Sequence, residues 1–403
     1  MGKYFGTDGI RGIVDKDLDS ELASKVGRAL AIYLNANYKR VNYICIGKDT
    51  RLSGDMLENS IISGLLSSGI SPISLGIIPT PAVSMLTEKA NCSAGVVISA
   101  SHNPVEYNGI KLFSKNGFKF DDKEEEALEK LIDSLEPITT TKSKQKGKLI
   151  TDTNASQAYI DSVLKKFGTI NLKGIKILVD CAFGSTYYTT PTALRELGAR
   201  VIDINSKPDG AKINVNCGST HPEFIKNYIK ESKVDFDIAF AHDGDGDRVI
   251  GFLPNGSVID GDIIMSLWAV YRKRNFGLRN KIIVGTIMTN MGIEEYLKRD
   301  GIKFIRSNVG DKYVLRDMLR LNAEVGGEQS GHIIFLEKTK TGDGLVTILE
   351  FLKVLTNTEF KILDEIKNIE FYSQKLTNIK VIDKDKEIWQ FNCFSKLLTF
   401  KFF

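Results

Sequence analysis

The chain repeats one supersecondary pattern three times, and that recurrence limits its fold more than any other feature. Val41–Gly47 is apolar and β-rich and reads as a strand. The polar run Lys48-Asp49-Thr50-Arg51 follows, then an amphipathic helix from about Gly54 to Ser68 closed by Gly69, then a second strand, Ser71–Leu75. Glycine just past a periodic segment is an expected helix stop. The same order returns as Gly174–Asp180, Thr190–Leu197, Gly198 and Arg200–Ile204, and again as Lys281–Gly285, Met291–Arg299, Gly301 and Lys303–Ile305. Strand–helix–strand with such short connections predicts parallel βαβ units with helices on the sheet faces. The expected fold is therefore α/β, with three related domains of mixed, mainly parallel sheets around a central cleft. This is a domain repeat and lacks the short period of a solenoid.

Each copy continues with a helix, a strand and an unusual polar loop. Ser99-Ala100-Ser101-His102-Asn103-Pro104 follows the strand Gly95–Ile98. His242-Asp243-Gly244-Asp245-Gly246-Asp247-Arg248 follows Phe236–Ala241. Gly326-Gly327-Glu328-Gln329-Ser330-Gly331-His332 follows a short Ala323–Val325. Open α/β sheets bind ligands beyond the carboxyl ends of their strands, so the three loops are expected to face one cleft. Lysine- and threonine-rich residues 137–150 read as a linker or edge turn, with further boundaries near Phe252–Asp260 and Leu363–Glu370. The expected domains are 1–150, 151–254 and 255–366, with 367–403 left over.

Composition narrows the class. At 403 residues the chain calls for two to four domains, and 42% apolar with 26% charged residues is a globular balance. A formal net charge of +4 is well short of a dedicated nucleic-acid binder, and the basic residues lie apart from the aromatics. The five cysteines are scattered without a C-x-x-C pair, which suits free thiols in a reducing cytoplasm. No apolar segment follows a basic start, so no secretion signal is read. The longest apolar stretch, Ile263–Tyr271, is too short to span a bilayer and reads as a buried helix.

The loops differ in what they say about chemistry. Ser101 stands either in an ordinary strand-ending turn or as a nucleophile or phosphoacceptor, with His102 beside it. The run Asp243, Asp245, Asp247 is more specific. Three carboxylates separated by single glycines repel one another unless a cation neutralises them, and hard oxygen ligands suit Mg²⁺. An EF-hand loop fails, because its sixth and twelfth positions hold Arg248 and Pro254. Glu328 and Ser330 are candidates for hydrogen bonds to sugar hydroxyls, and His332 for acid–base work. Arg11 is suited to bidentate grip of phosphate or to a structural ion pair. Lys48 and Arg51 are read the same way, or as partners of Asp55 and Asp49. Lys111, on the expected strand Gly109–Phe113, is a base candidate if it faces the cleft.

Lys3–Gly12 (KYFGTDGIRG), Ile98–Pro104 (ISASHNP), Asp243–Arg248 (DGDGDR) and Gly326–Ile333 (GGEQSGHI) together resemble the α-D-phosphohexomutase superfamily. Their order and spacing match over about the first 365 residues. Gln329 in the third loop looks like the branch acting on glucosamine phosphates, whereas relatives acting on mannose and glucose phosphates tend to carry Met there. The resemblance implies an isomerase that interconverts glucosamine 6-phosphate and glucosamine 1-phosphate through a bisphosphorylated sugar. It implies Ser101 as the phosphoserine, and Mg²⁺ held by Asp243, Asp245, Asp247 and the Ser101 phosphate. Glu328 and Ser330 would bind sugar hydroxyls, with Arg248 beside the metal loop. Arg11, Lys111 and His332 would stand near the transferred phosphate as acid–base or electrostatic helpers. One Mg²⁺ per chain, a glucosamine 1,6-bisphosphate activator, a phosphosugar partner, no nucleic-acid or membrane partner, a cytoplasmic setting and a homodimer complete the picture. Family members close with a phosphate-gripping Arg-x-Ser-Gly-Thr-Glu-Pro loop in a fourth α+β domain. No such run occurs here, and 367–403 reads as an incomplete form of that domain. The same chemistry on glucose or mannose phosphates, a metal phosphatase, and a non-catalytic phosphosugar-binding relative stay open as other readings.

Overall fold

The computed structural model describes residues 2–136, 147–168 and 170–375. Met1–Phe371 forms one compact unit. Of a second unit, Tyr372–Phe403, only Tyr372–Lys375 are described, without helix or strand. The expected linker residues 137–146, and the expected fourth domain from 376 onward, lie outside the described residues.

Among the described residues the compact unit holds three sheets. In the first, Ile44–Lys48 is flanked in parallel by Pro72–Ile77 and Ala94–Ile98, and Tyr107–Ser114 runs antiparallel beyond Ala94–Ile98. In the second, Lys176–Asp180 lies between Arg200–Ile204 and Ile238–His242, with Val249–Phe252 antiparallel beyond. In the third, Ile282–Thr286 lies between Lys303–Ser307 and Val325–Gly327, with Ile333–Phe335 antiparallel beyond. Each sheet thus repeats the spatial order second, first, third, fourth, with the fourth strand reversed. Each polar loop connects the third strand to that reversed strand. The first sheet extends to Gly9–Ile13 and Phe5–Gly6 on one side and to Ile150–Thr151 on the other.

The expected strand Ala323–Val325 moves to Val325–Gly327, because Gly326 pairs with both Val284 and Ile334. Two glycines read as loop are strand here, since ladder pairing needs no side chain. Ile263–Tyr271 lies inside the helix Gly261–Phe276, buried all round. A helix apolar on every face belongs in a core rather than on a surface, and this one packs against Val325–Gly327 of the third sheet and the helix Gly344–Leu355. A second core lies beneath the helices Ser20–Asn37 and Gly54–Ser67. Among the described residues no helix is long and apolar enough to cross a membrane.

Candidate active site

Ser101 stands just past Ala94–Ile98, fully buried, with a left-handed φ of 51°. Its Oγ donates to Asp243 Oδ2 at 2.6 Å, and His102 Nδ1 is 3.3 Å from the same oxygen. The loops from the first and second sheets therefore meet. Burial, with Arg248 and Arg11 alongside, pushes His102 down to about 4.

The acidic loop is pinned from three sides. Ser185 N–H donates to Gly244 O at 2.9 Å, Thr80 N–H to Asp245 O at 2.9 Å, and Gly344 N–H to Gly246 O at 3.0 Å. Gly246 has φ of 70°, and a Cβ there would come 2.3 Å from Thr186 Cγ2, so only glycine fits the wrap. Asp243, Asp245 and Asp247 are all buried, and each offers a carboxylate oxygen within 4.8 Å of the others. Burial, with Asp247 and Asp245 alongside, holds Asp243 well above the usual carboxylate range. Oδ1 of Asp245 and Oδ1 of Asp247 are buried without a hydrogen-bond partner among the described residues. Unsatisfied carboxylate oxygens of this kind cost free energy. A hard divalent cation satisfies them, so the donor set fits a metal.

Lys111 stands on Tyr107–Ser114, 1% exposed, with Nζ 2.8 Å from Asp245 Oδ2, 3.1 Å from Asp8 Oδ2 and 3.3 Å from Asp247 Oδ2. Arg11 lies on the neighbouring strand opposite Gly109, two residues from Lys111, so both side chains leave the same sheet face. Arg11 donates to Asn103 Oδ1 at 3.0 Å and pairs with Asp8.

A cavity of about 480 Å³ opens beside this cluster, lined in part by Arg11, His102, Asp247, Arg248, Glu328 and His332. Glu328 Oε1 accepts from Gly310 N–H at 3.0 Å. His332 Nε2 accepts from Gly342 N–H at 3.0 Å, which puts the ring proton on Nδ1, facing Asp247 Oδ2 at 3.5 Å. Nε of Arg11 and Nε of Arg248 are buried donors without a partner among the described residues. Arg248 Nε lies 3.8 Å from Asp247 Oδ1, so the unfilled donors and acceptors adjoin, complementary to an anion and a cation respectively.

Of the ten residues to which the family resemblance gives a role, nine gather here. Ser330 stands apart, on the exposed turn ahead of His332 and outside the cavity lining. Lys48 pairs with Asp55 at 2.6 Å and Arg51 with Asp49 at 3.0 Å, the second of the two options read for them. Sequence reasoning passed over Thr80, whose Oγ1 donates to Asp245 Oδ2 at 2.6 Å, and Asn214, whose Nδ2 donates to Ser101 O at 2.9 Å. It also assigned nothing to Asp8, which gathers Arg11, Lys111 and Lys119. Asp8 alone carried a signal, as the acid of a glycine-rich run. Thr80 and Asn214 belong to no motif, and their partners lie 165 and 113 residues away.

Three family models match in succession: phosphoglucomutase/phosphomannomutase alpha/beta/alpha domain I over residues 2–138, domain II over 157–256 and domain III over 260–371. The chain is 45% identical over 391 residues to the phosphoglucosamine mutase of Clostridium acetobutylicum, covering 96% of this chain and 86% of that protein. It is 45% identical over 388 residues to that of Clostridioides difficile, with the same coverage. Among solved structures, a putative phosphomannomutase from Thermus thermophilus superposes with a TM-score of 0.78 at 22% identity, covering 91% of this chain and 82% of that one. An N-acetylglucosamine-phosphate mutase of the alpha-D-phosphohexomutase superfamily gives a TM-score of 0.58 at 15% identity, covering 91% and 81%. The structures speak to the fold and the close relatives to the family: this chain belongs to the phosphoglucosamine mutases of the phosphohexomutase superfamily.

Proposed function

We propose that this chain isomerises glucosamine 6-phosphate and glucosamine 1-phosphate through a phosphoserine at Ser101 and a glucosamine 1,6-bisphosphate intermediate. The reading rests on one observation. The Ser101 hydroxyl touches the acidic loop at the edge of a cavity where buried arginine donors and buried carboxylate acceptors both lack partners. Phosphoryl transfer asks for positioning and charge neutralisation more than for covalent chemistry, and this site offers both.

Phosphorylated Ser101 gives its phosphoryl group to O1 of glucosamine 6-phosphate. The Oγ–P bond breaks as the O1–P bond forms, and the O1 proton leaves to a base. The bisphosphate turns over in the cavity, and Ser101 Oγ takes the phosphoryl group from O6, which recovers a proton. Arg11 and Arg248 receive the phosphoryl oxygens on their free N–H groups. Lys111, held by Asp8, Asp245 and Asp247, supports the electrostatic role over that of base, because its ammonium is already committed to three carboxylates. His332 holds a proton on Nδ1 at the metal loop and serves as the acid–base candidate. Glu328 binds sugar hydroxyls, and Ser330 does so from its turn when the sugar reaches it. Asp243, Asp245, Asp247 and the Ser101 phosphate would hold Mg²⁺, which when bound supplies Lewis acidity and offsets phosphate charge. One Mg²⁺ per chain, the bisphosphate as activator, the cytoplasm and a homodimer are carried over with this reading. So are the domain roles, with 1–150 carrying phosphoserine, 151–254 the metal and 255–366 the sugar loop.

The test is turnover of glucosamine 6-phosphate with Mg²⁺ and bisphosphate, set beside glucose 1-phosphate and mannose 1-phosphate, with inorganic phosphate followed in parallel. Isomerisation fastest on the amino sugar is expected. Phosphate release at the rate of sugar consumption would make the protein a phosphatase and overturn the proposal.

A further inference from the structure

The loop that carries Ser101 is held in an unfavourable shape. A non-glycine residue in the left-handed region is sterically disfavoured and persists only where its surroundings over-determine it. Arg51, fully buried, supplies much of that constraint. Arginine has five N–H donors, and Arg51 places every one. Its Nε donates to Asp49 Oδ2 at 3.0 Å. Its Nη1 donates to the carbonyls of Pro104 at 2.6 Å and Tyr107 at 2.8 Å, and its Nη2 to those of Ser101 at 3.0 Å and Asn103 at 2.7 Å. One guanidinium thus ties four carbonyls of the loop into a single geometry. The tie continues through Asp49, whose Oδ2 accepts from Ser99 Oγ at 2.6 Å, while Ser99 Oγ accepts from Ser101 N–H at 2.8 Å.

Among the described residues, Arg51 does not line the cavity and makes no hydrogen bond to the acidic triad. We infer that Arg51, braced by Asp49 and Ser99, is a positioning residue that aims Ser101 Oγ at the metal loop for phosphoryl transfer. The inference rests on the mutase reading and deepens it. Lysine cannot replace it, because an ammonium has three donors and no planar fork.

The experiment follows phosphorylation of Ser101 by rapid quench and intact mass, with Mg²⁺ and either glucosamine 1,6-bisphosphate or glucose 1,6-bisphosphate. In this half-reaction the Oγ–P bond forms as the sugar O–P bond breaks, and the serine proton passes to the sugar oxygen released. Misplacement of a reacting group by about 1 Å costs about a hundredfold in rate. Arg51→Lys should therefore take up phosphate about a hundredfold more slowly than wild type, to a near-complete endpoint. In steady state kcat should fall by the same factor with KM unchanged. A role confined to folding would instead lower the endpoint and leave the rate alone, and that result overturns the inference. Should Arg51→Lys not fold, Ser99→Ala carries the same test, since it breaks the brace without stranding a buried charge. An unchanged uptake rate in that variant is equally fatal. Uptake by wild type from the glucose compound alone would cost the amino-sugar assignment but leave the Arg51 comparison readable. Uptake from neither would bring down both.

Discussion

At Ser101 the chain sets a nucleophile candidate against an acidic loop supplied by residues 142 positions away. Ser101→Ala removes the only oxygen that the mutase reading phosphorylates. Isomerisation should fall to background and the phosphorylated mass should vanish; activity retained by the variant refutes the assignment. Thr80 offers a subtler test. Its hydroxyl donates to Asp245 Oδ2 and orients that carboxylate without being a candidate ligand itself. Groups that orient metal ligands typically contribute about 10–100-fold in affinity. Thr80→Val should therefore weaken Mg²⁺ binding in calorimetric titration, and an unaltered affinity would show that the hydrogen bond orients nothing.

Two elements meet unusually closely in the first domain. The helices Ser20–Asn37 and Gly54–Ser67 approach through facing glycines: a Cβ on Gly64 would lie 2.3 Å from Ser24 O, and one on Gly27 2.4 Å from Ile61 O. Alanine gains about 0.5–1 kcal/mol of helix propensity over glycine, while overpacking costs about 1–3 kcal/mol. Gly64→Ala should thus be net destabilising, seen as a lower urea midpoint; a raised midpoint would mean that the helices separate freely. At the start of the buried helix Gly261–Phe276, burial raises the Asp262 carboxyl to about 7, with Asp260 adding to it. The folded pKa exceeds the unfolded one, so the folded state binds the proton more tightly. The associated stability is present in full below the unfolded pKa and is lost as pH rises through about 7. Unfolding free energy should be higher at about pH 5 than at about pH 8, and Asp262→Asn should flatten that slope. Identical slopes in variant and wild type would exclude Asp262 as the source.

Across the molecule, the first and third sheets' regions are joined at the rim of the cavity. Lys119 pairs with both Asp8 and Asp311, and Lys312 pairs with Asp122 at 2.6 Å. Removing the cation deprives Asp311 of its lysine, while Asp8 keeps Arg11 and Lys111; breaking such a pair costs about 3–5 kcal/mol where burial is complete. Lys119 keeps 15% side-chain exposure, so Lys119→Met should be destabilising by less than that. A denaturation midpoint that does not move would show that the two regions are held together by other contacts.

Much of this molecule was legible in the linear chain. The threefold strand–helix–strand order follows from local hydrophobic period and glycine stops, which act within a few residues. The triad Asp243, Asp245, Asp247 announced itself because like charges at such spacing need a counterion wherever they fold. What only the tertiary structure decided is which distant groups complete those loops. Arg51 earns its role from carbonyls 50–56 residues away, and backbone carbonyls carry no sequence signature. Thr80 reaches Asp245 across 165 residues, and Lys111 is committed to three carboxylates from two domains. Periodicity reports on neighbours along the chain. Charge compensation and hydrogen-bond satisfaction in a buried site report on neighbours in space, and packing alone selects those.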